Sequence, residues 1–174
     1  MSTNRKYAFS WEIIGDIELG RPHLGKQTRL EIYRLMQFTF RDVIEKKYGT
    51  QAADEIFYDA GKMAGAAFYQ QFIKKTSDLS EFIRQVQTIF KEMSIGILRM
   101  EKADIEQGQF ILTVAEDLDC SGLSDNLEYE ICVYDEGFIA ALLESHFGKK
   151  FVVKEIDCWG TGSPTCRFDA RAVD

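Results

Sequence analysis

All four cysteines of this 174-residue chain lie after residue 119, at Cys120, Cys132, Cys158 and Cys166. That clustering constrains the fold more than any other feature, because whatever the thiols do, they act within the last third of the chain. The N-terminus, Met1-Ser-Thr-Asn-Arg-Lys-Tyr7, is polar and lacks the apolar core of an export signal. The sequence therefore predicts a cytoplasmic protein whose cysteines are metal ligands or free thiols rather than disulfides.

Cys158 and Cys166 flank a short loop with Gly160, Gly162 and Pro164, which can fold the chain back and bring both sulfurs to one end of two strands. Glu155 precedes Cys158 by three residues. Strict alternation puts such positions on opposite faces, so a joint site needs a bulge or a strand end near Cys158. Cys132, at the start of a helix, can supply a further donor. The candidate metal ligands are thus Cys132, Glu155, Cys158 and Cys166, a thiolate and carboxylate set that suits zinc. Cys120, in a Ser-Gly loop, is a spare that can replace one of them. The competing reading is that these are buried cysteines behaving as small apolar residues.

Upstream, the apolar spacing is helical. Residues 1–25 read as an extended N-terminal arm that turns at Gly20, Pro22 and Gly25, leaving 26–174 as a single domain. A first helix is expected over Lys26–Lys47 with Gly49 at its C-cap, and a second from an N-cap at Thr50 to about Lys75. Asp78 or Ser80 caps a third. After Ser94 the period changes. Ile95–Glu106 and Gln109–Leu118 read as strands joined at Gln107-Gly108, followed by a loop over 119–126 and a helix from about Tyr129 to Phe147. Lys150–Cys158 and Cys166–Val173 are the last two strands. The order, helices and then strand-strand-helix-strand-strand, predicts an α+β fold with a helical layer packed on an antiparallel sheet.

The second helix carries Ala60, Gly61, Ala64, Gly65, Ala66 and Ala67, flanked by Phe57, Phe68 and Phe72. A glycine inside a helix costs about 1 kcal/mol relative to alanine, so the space beside it is used. One use is close packing against another helix or a second subunit. The other is a pocket lined by Phe57, Gly61, Gly65, Phe68, Phe72 and Phe90, although aromatics fill cores in any protein.

Several functions are disfavoured. A net charge of −7 with scattered basic residues argues against nucleic acid. No apolar run approaches the roughly 18 residues that span a bilayer. There is no G-x-G-x-x-G after a strand and no P-loop. His23 and His146 are the only histidines, and neither pairs locally with a nucleophile. The balance favours a binding domain over an enzyme.

The tail Cys132-x22-Glu155-x2-Cys158-x7-Cys166-x-Phe168, with Gly137, Gly148 and Lys154-Glu155 in register, resembles the 4-vinyl reductase (4VR) domain family. It is most similar to the aromatic-sensing domains of bacterial phenol- and toluene-responsive regulators. The resemblance implies structural zinc at Cys132, Glu155, Cys158 and Cys166. It also implies a ligand-binding fold shared with haem-based nitric oxide sensors and vesicle-tethering subunits. Such domains are commonly homodimers that hold a small hydrophobic molecule (aromatic, lipid-like or tetrapyrrole) between helices and sheet. The expected function is a non-catalytic sensor or carrier domain. The alternatives are an enzyme or accessory protein acting on a tetrapyrrole, and a dimeric scaffold subunit without ligand.

Overall fold

The change of period near Ser94 divides the structure, a computed structural model that describes residues 6–124 and 127–173. After a 3-10 turn at Trp11–Ile14 come four helices: α1 (Ile17–Gly20), α2 (Leu30–Tyr48), α3 (Thr50–Phe72) and α4 (Leu79–Glu92). Strands β1 (Ile97–Asp104) and β2 (Gln109–Ala115) follow, then α5 (Val133–Phe147), β3 (Lys150–Asp157) and β4 (Cys166–Val173). The four strands form one antiparallel sheet in the order β1-β2-β4-β3. This is the expected α+β arrangement of helices on an antiparallel sheet.

Local chemistry explains where the elements start and stop. Gly49, at φ 86°, closes α2 by donating its N–H to Glu45 O and opens α3 by accepting from Ala53 N. One residue thus does both jobs, and Thr50 begins the helix instead of capping it. Asp78, rather than Ser80, caps α4 by accepting from the N–H groups of Ser80 (2.8 Å) and Glu81 (3.3 Å), a contact worth about 1 kcal/mol. α3 stops at Phe72, three residues short of the expected end, and Ile73 turns extended and buried. The hairpin between β1 and β2 is longer than a Gln107-Gly108 turn: it spans 105–108, with Asp104 Oδ1 accepting from Gln107 N at 3.0 Å. The N-terminal arm is not extended. It forms the 3-10 turn and α1, which Asp16 caps by accepting from Leu19 N, and Trp11 sets its ring edge-on to Phe72 at 5.2 Å.

α5 is the central element. Ile139, Ala140, Ala141, Leu142 and Leu143 are all buried in succession, the signature of a helix enclosed on every side. The sheet covers one side, where β3 turns Phe151, Val153 and Glu155 inward and Val152, Lys154 and Ile156 outward. α3 covers the other, and here the small residues are used. A Cβ on Gly61 would overlap the carbonyl oxygen of Tyr134, and one on Gly65 that of Phe138. Reciprocally, a Cβ on Gly137 would overlap the Tyr58 carbonyl. The two helices therefore touch backbone to backbone, which only glycine permits.

Gly61→Ala is expected to destabilise the fold by about 2 kcal/mol or more, since overfilling a packed contact costs roughly 1–3 kcal/mol. Thermal unfolding checks it, and an unchanged melting temperature would contradict the backbone contact.

Candidate functional site

Four loops and termini converge at the sulfurs. Cys120 lies in the loop after β2, Cys132 immediately before α5, Cys158 just past β3 and Cys166 at the first position of β4. All four are free thiols with no exposed surface, and their Sγ atoms lie within 4.8 Å of one another. Cys132 Sγ is 3.9 Å from Cys158 Sγ and 3.8 Å from Cys166 Sγ, and Cys120 and Cys166 approach to 2.9 Å. A disulfide needs about 2.05 Å. A tetrahedron of sulfurs about 2.3 Å from a central ion has edges of about 3.8 Å, which matches two of these separations. The cluster is therefore compatible with one tetrahedral ion. Hydrogen bonding with Cys120 is the main cause that lowers the Cys158 thiol and raises that of Cys132.

The β3–β4 connection makes this possible. A turn at Trp159–Thr161 and Gly162 reverses the chain, with Thr161 N and Ser163 N both donating to Cys158 O. The register shifts between Glu155 and Asp157, the irregularity the spacing requires, and both Glu155 and Cys158 are buried. Glu155 stands beside the sulfurs: its Oε2 accepts from Cys132 N at 3.1 Å, while Oε1 is buried without a partner. Burial, then the charge at Cys158, pushes its carboxyl up to about 8.

The loop that carries Cys120 also forms the head of a cavity of about 170 Å³. Its walls include Phe90 of α4, Val114 of β2, and Phe138 and Ile139 of α5. Its polar end is made by Tyr33, Tyr134, Asp117, Asp119 and Asp135. Tyr33 Oη donates to Asp119 Oδ1 at 2.7 Å and Gln37 Nε2 to Asp119 Oδ2 at 2.8 Å. Asp117 Oδ1 accepts from the N–H groups of Asp119 (2.7 Å) and Cys120 (3.2 Å). Arg34 pins the loop from outside through the carbonyls of Asp117, Leu118 and Ser121. Burial is the main cause that raises all three carboxyls, Asp117 to about 7, and the Tyr134 phenol to about 12.

The residues expected to line a pocket are spread out. Phe90 lines this cavity. Phe68 stands one layer behind, edge-on to Phe90 at 5.8 Å and to Phe138 at 5.3 Å. Phe72 packs on Phe68 and Trp11, Phe57 lies beneath the Arg41 guanidinium, and α5 occupies the space beside Gly61 and Gly65. The acidic head is not among the residues expected from the sequence, although Glu116-Asp117-Leu118-Asp119 at a strand end and Tyr134-Asp135 beside Cys132 are its signal. His146 stacks on Phe82 at 4.1 Å, away from the cavity lining, and His23 is exposed.

The family model of the 4-vinyl reductase domain matches the chain across β2, α5, β3 and most of β4. Residues 110–172 match that family. The matched stretch contains all four cysteines and Glu155, in agreement with the resemblance read in the tail. An uncharacterised protein of Methanocaldococcus jannaschii is 26% identical over 151 residues, covering 87% of this chain and 82% of that one. Among solved structures, the phenol-responsive sensory domain of the transcription activator PoxR with phenol superimposes with a TM-score of 0.64 at 12% identity, over 85% of this chain and 76% of that one. A vinyl-4-reductase family protein from M. jannaschii gives 0.60 at 20%, covering 87% and 85%. A trafficking protein particle complex subunit 3 from Naegleria fowleri, covalently bound to palmitic acid, gives 0.61 at 14%, covering 83% and 95%. An H-NOX protein from S. oneidensis gives 0.51 at 12%, covering 79% and 74%. At these identities the likeness establishes the fold alone. Among the described residues no helix is long and apolar enough to cross a membrane.

Proposed function

We propose that the protein is a non-catalytic sensor or carrier domain that encloses one small hydrophobic molecule, braced by a structural zinc ion. The observation that carries this reading is the 170 Å³ cavity between α2, α4, α5 and β2, at the junction of helices and sheet. An apolar cavity of about 150 Å³ in a protein core takes up benzene. The space here therefore suits a single aromatic ring with a short substituent, and is too small for a tetrapyrrole. The structural likeness to a phenol-responsive sensory domain supports the same class of ligand. Binding alone meets the needs of a sensor or carrier, so no reaction has to be assigned to the surrounding groups.

For the metal, the donor chemistry favours Cys120, Cys132, Cys158 and Cys166 as the ligand set, with Glu155 holding the Cys132 backbone. Four thiolates fill a tetrahedron, leave no position open to substrate, and link metal binding to folding. Their free state also fits a reducing, cytoplasmic setting.

A homodimer is supported by the outer face of α2. Ile32, Leu35, Met36, Phe40 and Val43 recur at helical spacing and are 58%, 63%, 56%, 59% and 47% exposed. Arg41 is the only buried residue of that helix. A continuous apolar stripe of this kind marks a surface that a partner covers, and a second copy offers a matching one.

Three outcomes follow from this proposal. Elemental analysis is expected to show that Cys120→Ser loses metal as fully as Cys158→Ser, while Glu155→Gln keeps it; the reverse pattern would restore Glu155 to the ligand set. Toluene is expected to raise the melting temperature of the parent protein but not of Ile95→Trp, which fills the cavity, and a parent indifferent to toluene would count against the pocket. Light scattering is expected to report a dimer that Leu35→Glu converts to monomer; a monomeric parent would refute the interface.

A further inference from the structure

We infer that Ile139 is the specificity-determining residue of the cavity, the one that limits its ligand to a single ring. The inference rests on the ligand-binding reading above and names what sets the size of the ligand. Behind Ile139 lies a second apolar space of about 10 Å³, with Val86 of α4, Leu112 of β2, and Leu142 and Leu143 of α5 among its walls. That is room for no more than about one water-sized group, and the side chains around it are all hydrocarbon.

The two spaces are successive tiers of one helix–sheet interface. On α4 the wall steps from Phe90 in the first tier to Val86 in the second, one turn and about 6 Å along the helix. On β2 it steps from Val114 to Leu112, one repeat of the strand and about 6.6 Å. On α5 the matching step runs from Phe138 to Leu142. Among the described residues Ile139 alone lines both spaces. It is 3% exposed and stands between the tiers as a partition. A β-branched side chain on a helix keeps essentially one χ1 rotamer, so the partition is fixed.

The other inner walls give a larger ligand no such extension. Phe68 packs edge-on behind both Phe90 and Phe138. Val114 is paired into the sheet on both sides, with β1 and with β4. Tyr33 and Gln37 tie down the polar end through Asp119, and Arg34 does so through the loop carbonyls. At Ile139 a single aliphatic side chain separates the cavity from further apolar space. Its removal joins the tiers, and a ligand can then lengthen along the interface by about one ring.

Calorimetric titration of the full chain with toluene and with biphenyl, which carries a second ring in place of the methyl group, tests this. The parent chain is expected to bind toluene and to show no detectable binding of biphenyl. Ile139→Ala is expected to prefer biphenyl to toluene by at least about tenfold, the scale of burying a second ring. Ile95→Ala deletes the same atoms from a wall of the first space that does not reach the second, and is expected to keep toluene ahead. Emptying a core position lowers stability, so Ile139→Val stands in where the alanine variant does not fold, and is expected to bind biphenyl measurably. A parent that takes biphenyl as tightly as toluene would overturn the inference without any variant. Equal gains of biphenyl binding in Ile95→Ala and Ile139→Ala would also overturn it, because volume rather than place would then be the cause. If toluene binds the parent and substitution of Ile139 leaves the order of ligands unchanged, this inference fails alone. If toluene does not bind the parent, the pocket reading fails with it.

Discussion

The meeting of four sulfurs is the constraint on which the C-terminal half depends. Cys120, Cys132, Cys158 and Cys166 come from four separate places in the chain, yet their Sγ atoms lie within 4.8 Å of one another. As thiolates they would repel, and the proposed cation at their centre would offset that repulsion. It would join the post-β2 loop, the start of α5 and the β3–β4 turn into one unit. That unit then sets the head of the cavity, because Asp117 and Asp119 belong to the same loop as Cys120.

α5 carries the consequences inward. Its N-terminus receives the sulfur cluster through Cys132, its middle presses against α3 at Gly61, Gly65 and Gly137, and Phe138 and Ile139 form a wall of the cavity. Glu136 ties the same helix to β3 by accepting from Glu155 N at 2.9 Å and from Lys154 Nζ at 2.8 Å. Both neighbouring layers, α3 and the sheet, are thus packed against one helix. The outer face of α2 stands apart, exposed and apolar.

Much of this was legible in the order of residues, and the gaps have physical causes. The switch from helical to alternating spacing at Ser94 marked the two layers, because each period reflects a backbone geometry. The need for an irregularity near Cys158 followed from alternation, and the register shift lies between Glu155 and Asp157. The small residues of α3 left two uses open, and the Gly61 and Gly65 contacts with α5 depend on tertiary packing that one helix cannot disclose. Cys120 was visible only as a spare, since its nearness to Cys166, 46 residues away, arises from the fold of the loop. The acidic end of the cavity was missed because Tyr33, Asp117 and Asp135 come from separate segments. Each alone reads as an ordinary surface residue.

The central claim is that four sulfurs, and no carboxylate, hold one metal ion. X-ray absorption at the metal edge of the purified protein tests it most directly. The account predicts a first shell of sulfur alone, with a coordination number of about four at about 2.3 Å. A shell of three sulfurs and one oxygen at about 2.0 Å would return Glu155 to the site and contradict the claim.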